Sequence, residues 1–146
     1  MPQRPRPENE GVRRGRWGED VAVEYLRSRG YVVVERNVRP CRWDRRLEID
    51  VVAYDRAADA IVFVEVKQHK AHSARERRLR SVNRRKMERL LKACRAWIGC
   101  NRWRGARRFD VVEVFGEPDG RARAEIDHIE RVPLFSPPDR YVNWAE

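Results

Sequence analysis

The chain predicts an α/β layered domain, a mixed central sheet flanked by helices. Three observations point there. Two segments carry the apolar spacing of amphipathic helices, one ahead of a group of strands and one inside it. Short β-branched runs fill the intervals and give the order αβββαββ. The length of 146 residues and the 41% apolar content suit one domain with one core.

Residues 1–14 are rich in Pro and Arg without periodicity and read as a flexible basic tail. Between Trp17 and Arg29, Val21, Ala22, Tyr25 and Leu26 fall on one helical face, and Gly30 follows as a C′ residue. Tyr31 to Glu35 is a β-branched strand, and the polar stretch from Arg36 to Arg46, with Pro40, is a loop. Leu47–Tyr54 and Ala60–Gln68 are two strands that the turn at residues 55–59 joins as a hairpin. His69 to Arg80 is strongly basic and aperiodic, a loop expected to order on binding. Ser81 is placed as the N-cap of a helix reaching Ile98 and closed by Gly99. Met87, Leu90, Leu91, Cys94, Trp97 and Ile98 form its apolar stripe. Phe109–Phe115 is the fourth strand, residues 116–120 a turn, and Ala124–Arg131 a weaker fifth strand. The core domain thus spans 15–131. Residues 132–146 form a Pro-rich tail whose Leu134, Phe135, Tyr141 and Trp144 are expected to pack back onto it.

The formal net charge is +10 and the basic residues are nearly all arginine: only four of the 33 are Lys. Such a balance favours polyanionic partners, nucleic acid first, through phosphate contacts. Genome-wide base composition is an alternative source of the arginine excess. No apolar stretch approaches a membrane span, and the first residues lack the hydrophobic segment of a secretory signal. The three cysteines (Cys41, Cys94, Cys100) and three histidines show no metal-ligand spacing. A reduced, cytoplasmic protein without membrane attachment is the expectation.

Acid inside apolar strands carries the functional signal. Side chains alternate along a strand, so Glu48 and Asp50 share one face of the second strand, and Glu65 and Lys67 share one face of the third. If the strands are neighbours, Asp50, Glu65 and Lys67 converge. Carboxylates there are costly to desolvate unless paired or bound to a cation. Phosphodiester hydrolysis uses such a set: Asp50, Glu65 and the backbone carbonyl of Val66 would hold Mg²⁺ or Mn²⁺, and Lys67 would act on the attacking water or the phosphate. The plainer reading of E-x-K alone is an ion pair on an edge strand. Glu19, on the apolar side of the first helix, is either a further ligand or a favourable charge near the helix start. Glu48 either binds a second ion or pairs with an Arg. Arg84, Arg85, Lys86 and Arg89 open the second long helix with only Glu88 among them. They are assigned to phosphate contact, with Lys86 at the border of the stripe and able to face the site.

These blocks resemble the YraN-type family of bacterial proteins regarded as endonucleases. Gly18-Glu19-Asp20-Val21-Ala22, Glu48-Ile49-Asp50-Val51-Val52-Ala53, Val62-Phe63-Val64-Glu65-Val66-Lys67, Ser81-Val82-Asn83-Arg84-Arg85-Lys86 and Arg108-Phe109-Asp110-Val111-Val112 recur in that family's order. The resemblance implies a restriction-endonuclease-like fold of the PD-(D/E)xK superfamily, similar to archaeal Holliday-junction resolvases. It implies Asp50, Glu65 and Lys67 as the catalytic set, Glu19 as the helix-borne acid, branched DNA as substrate and a homodimer as the assembly. Two departures flank the site. Leu47 stands where the family usually has Gly, and His69 to Arg75 replaces a Phe-Gly segment.

Overall fold

The computed structural model describes residues 6–70 and 84–135. The chain runs α1 (Glu10–Ser28), β1 (Tyr31–Val38), β2 (Ile49–Asp55), β3 (Ala60–His69), α2 (Arg84–Asn101), β4 (Ala106–Phe115) and β5 (Glu125–Ile129). The strands form one sheet in the order β1-β2-β3-β4-β5. Neighbours are antiparallel except β3 and β4, which are parallel. A parallel pair cannot be joined by a tight turn, and α2 lies in the crossover between these two strands. This is the mixed α/β architecture that the sequence predicts, and it is compatible with a restriction-endonuclease-like fold.

Strand alternation sends one set of side chains to each helix. Val51, Ala53, Val62, Val64, Val112 and Val114 pack with Ala22, Val23 and Leu26 of α1. Val52, Ile61, Phe63, Phe109 and Val111 pack with Leu90, Ala93, Cys94 and Trp97 of α2. The inner strands are covered on both faces, which is why β2, β3 and β4 read as nearly unbroken apolar runs. Any acid in those runs therefore faces a helix or an edge of the core.

Several boundaries differ from the sequence expectation. Helix α1 begins at Glu10, so residues 10–14 are helical rather than part of a tail. Asn9 caps it by accepting from the Gly11 amide at 2.8 Å, and Arg13 reaches Asp119 at 2.7 Å. These turns are held by a cap and ion pairs, so they carry no apolar stripe for periodicity to detect. Strand β1 continues through Arg36 and Asn37 to Val38, and β4 starts at Ala106. Gly99 lies within α2 instead of ending it; the exit comes at Arg102, in the left-handed region at φ 53°. Leu134 is buried in the α2-side core and the Phe135 ring lies 6.0 Å from that of Phe63, as expected of the tail. Ser81, Tyr141 and Trp144 lie outside the described residues, as does the basic stretch from residue 71 to 83.

One close approach seats α1 beside the end of β3. Gly18 is buried, and a Cβ added there would lie 2.9 Å from the Cβ of Gln68. Alanine ordinarily gains about 1 kcal/mol over glycine in a helix interior. At Gly18 the clash reverses that sign, because helix and strand would have to separate. Gly15→Ala, with nothing within 4 Å, is expected to raise the thermal midpoint, and Gly18→Ala to lower it. Paired thermal melts check both.

Candidate active site

Asp50 stands at the start of β2, Glu65 and Lys67 in the second half of β3. The antiparallel register pairs Val51 with Val64, and the next step brings Asp50 beside Glu65 on the α2 face. Asp50 lies close enough to feel the Glu65 charge. Asp50 Oδ2 also accepts from the Val66 amide at 2.9 Å. Glu65 Oε1 receives Lys86 Nζ at 2.6 Å and has Lys67 Nζ at 3.8 Å. Two acids and two ammonium groups thus meet at one end of the hairpin.

The electrostatics follow from that crowding. Burial, and then the Glu65 charge, push the Asp50 carboxyl up to about 8. Burial and the neighbouring Lys86 ammonium lower the pKa of Lys67. Burial works most strongly against the Lys86 ammonium, but its contact with Glu65 and the charges of Glu65 and Asp50 together outweigh it and raise its pKa. The site thus disfavours the charge on Asp50 for want of further positive charge.

That observation tests whether a hard cation fits. The donor set is carboxylate oxygen, the kind Mg²⁺ takes, and the acids repel each other in its absence. A cationic group, the Lys86 ammonium, already sits against Glu65. Asp50 and Glu65 therefore fit a divalent ion. The Val66 amide donates to Asp50, a bond that does not bear on the carbonyl that the sequence reading assigns to the metal.

The site opens into a cleft of about 540 Å³. Arg85, Lys86 and Arg89 of α2 line one side, and Arg46 and Glu48 line it from the segment before β2. Arg84 is not part of this wall: it is exposed and pairs with Glu88 at 3.4 Å. Glu48 pairs with Arg39 at 3.3 Å, the bland alternative that its position allowed. Glu19 lies close enough for its charge to raise the Asp50 pKa. Its hydrogen bonds, however, go to β1, from Asn37 Nδ2 at 2.8 Å and Arg36 Nε at 3.3 Å. It borders the site without touching the Asp50–Glu65 pair.

Sequence reading missed two features. Arg46 belongs to the site through the Arg-rich segment just ahead of β2, whose proximity to Asp50 was the available signal. The other feature is a buried network on the opposite face and at the other end of β2. Arg108, only 5% exposed, holds Asp110 through Nε at 3.1 Å and Asp55 through Nη1 at 2.8 Å, and donates to the Tyr31 hydroxyl at 2.7 Å. His128 Nε2 lies 2.8 Å from Asp110 Oδ2, and its Nδ1 is 3.1 Å from the Tyr25 hydroxyl. Burial works most strongly against the Asp55 carboxylate, but the hydrogen bond and charge of Arg108 with the amides of Ala57 and Ala58 together outweigh it and hold its pKa below the ordinary value. Asp110, His128 and Glu130 offer ligating atoms within 4.8 Å of one another. The Arg108 guanidinium already lies among them, 3.5 Å from Glu130, so the group reads as an ion-pair clamp.

The model of a family described as "Uncharacterised protein family UPF0102" matches residues 18–114. The chain belongs to the UPF0102 family. A UPF0102 protein of Herpetosiphon aurantiacus is 30% identical over 122 residues, covering 82% of this chain and 93% of the relative. One from Trichlorobacter lovleyi is 39% identical over 116 residues, covering 79% and 85%. One from Mycobacterium bovis is 36% identical over 131 residues, covering 83% and 92%. The span matched by the UPF0102 model takes in Glu19, Asp50, Glu65, Lys67 and Lys86, and stops short of His128. No helix among the described residues is long and apolar enough to cross a membrane.

Proposed function

We propose that this UPF0102 chain is a metal-dependent DNA endonuclease of the PD-(D/E)xK type, hydrolysing phosphodiester bonds in branched or otherwise structured DNA. The observation that carries the reading is the meeting of Asp50, Glu65 and Lys67 at the end of the hairpin, beneath a cleft walled by Arg85, Lys86 and Arg89. Asp50 and Glu65 would hold Mg²⁺ or Mn²⁺, which supplies water activation and neutralises charge on the phosphate. Lys67 Nζ, beside Glu65, orients the attacking water and meets the negative charge that develops on the phosphate oxygens. Lys86 holds Glu65 in position, and Arg85, Arg89 and Arg46 receive the flanking phosphates.

One observation favours a second reading. The 2.6 Å contact between Lys86 and Glu65 is what a site that has replaced its cation with a side chain would show. On that reading the fold binds nucleic acid without cutting it.

Cleavage assays on branched, nicked and single-stranded DNA with Mg²⁺ or Mn²⁺ separate the two. The wild type is expected to cut, with Asp50→Ala and Lys67→Ala slower by about 10²-fold or more. Binding without cleavage in every variant supports the non-catalytic module instead. In either case affinity is expected to fall steeply as salt rises from about 50 to 200 mM, because the cleft wall acts through phosphate contacts. Binding insensitive to salt contradicts that role for Arg85, Lys86 and Arg89.

A further inference from the structure

The loop between β1 and β2 carries an aromatic ring that the fold does not use. Trp43 is 84% exposed, more than any other large apolar side chain among the described residues. Its loop is nevertheless pinned. Cys41 and Leu47, on either side, are buried in the α2-side core. The Asp44 amide donates to the Cys41 carbonyl at 3.3 Å, and the Leu47 amide to the Asp44 carbonyl at 3.3 Å. The Asp44 carboxylate accepts from the Arg46 amide at 3.1 Å and from its guanidinium at 3.0 and 3.1 Å. An indole held outward on such a frame is presented, not merely left over, since burying it would gain substantial apolar contact.

What surrounds the ring identifies its partner. The other exposed large apolar residues, Val12, Val32 and Val34, lie on α1 and β1, so no apolar patch continues from Trp43 within its loop. Its loop neighbours are arginines: Arg42 and Arg45 are exposed and form no ion pair among the described residues. Arg46 lines the cleft with Asp50 and Glu65. An aromatic face set among guanidinium groups matches single-stranded nucleic acid, with the ring under a base and the cations on the backbone. Reach agrees. Trp43 and Arg46 are three backbone steps apart, a span of at most about 11 Å, or about three stacked nucleotides at 3.4 Å each.

We propose that Trp43 is a substrate-recognition residue that stacks on an unpaired nucleobase beside the phosphodiester held over Asp50 and Glu65. This rests on the nucleic-acid reading above and sharpens its substrate class. In an intact duplex each base face is covered by its neighbours. The ring therefore selects DNA in which a base is free near the site: a gap, a flap or the opened centre of a junction.

The test uses full-length protein without divalent metal, so that no DNA is cut. Two DNAs of matched sequence are compared, a perfect duplex and the same duplex with a short gap carrying 2-aminopurine in its single strand. Wild type is expected to bind the gapped DNA more tightly and to change the 2-aminopurine fluorescence. Trp43→Ala is expected to lose about 5- to 100-fold in affinity for the gapped DNA alone, along with the fluorescence change. Trp43→Phe is expected to keep most of both. An unchanged thermal midpoint in Trp43→Ala, expected for so exposed a side chain, shows that the loss is not unfolding. Wild-type affinity and fluorescence in Trp43→Ala would overturn the stacking role while leaving the nucleic-acid reading intact, and so would an equal loss on both DNAs. Failure of the wild type to bind either DNA would overturn both.

Discussion

Asp50→Asn is expected to make the metal-free protein more stable while removing its activity. The asparagine oxygen can accept from the Val66 amide as the carboxylate does at 2.9 Å, and its neutral amide carries no repulsion toward Glu65. What disappears is the charge that burial and Glu65 oppose. The sign is fixed by the direction of the shift. The folded-state pKa of about 8 lies above the ordinary aspartate value near 3.9. The stability of the wild type is therefore intact below about pH 4 and is lost progressively as pH rises toward about 8. Asparagine does not titrate, so its advantage grows over the same window. Solvent in the open cleft and the two lysines soften the repulsion, which leaves an expected gain of about 2 kcal/mol at pH 8, or about 4–8 °C in the thermal midpoint. Melts of both proteins in a chelating buffer from pH 4 to 9 measure it. Parallel pH profiles for the two would show that Asp50 carries no such burden. A residue kept at a cost to stability is expected where chemistry needs it.

The largest loss of stability is expected at the other end of the sheet, from Arg108→Met. Removing the guanidinium leaves Asp110, fully buried, and Asp55 without the cation they share. Breaking a buried ion pair from one side costs about 3–5 kcal/mol, because the remaining charge keeps its desolvation penalty. Urea unfolding checks the figure, with exposed Arg104→Ala as a control expected within about 0.5 kcal/mol of wild type. Adding Asp55→Asn to Arg108→Met is expected to recover part of the loss, since it removes one of the stranded charges. Additive destabilisation in the double variant would mean that Arg108 acts by packing rather than by charge.

The two networks show why one part of this molecule was legible in its sequence and another was not. Asp50 and Glu65 stood out as acids in apolar runs, and strand alternation alone was enough to bring them together. Asp110 carries the same signal within Phe-Asp-Val-Val-Glu-Val-Phe, and Arg108 lies two residues before it on the same face. That pair escaped notice because one buried arginine is hard to see in a chain so rich in exposed ones. His128, 18 residues further on, joins only through the β4–β5 pairing. Helix α1 hid its first turns for a related reason. Asn9, Arg13 and Asp119 hold them through polar contacts, which leave no hydrophobic period. Glu19 was correctly placed on the side of α1 that faces the sheet, yet its partners on β1, Arg36 and Asn37, lay in a segment whose polarity suggested a loop. Lys86 was visible at the border of the α2 stripe. Its contact with Glu65 was not, because it depends on how α2 crosses back over the sheet.

The most direct test of the central claim is a single-turnover cleavage time course on a branched DNA with saturating Mg²⁺, comparing wild type with Asp50→Asn. Because the variant is expected to be at least as stable as the metal-free wild type, a lost rate cannot be ascribed to unfolding. Cleavage by the wild type with a rate at least about 10²-fold above that of the variant is the predicted result. Equal rates in the two proteins, or none in either with DNA demonstrably bound, would contradict a nuclease built on Asp50 and Glu65.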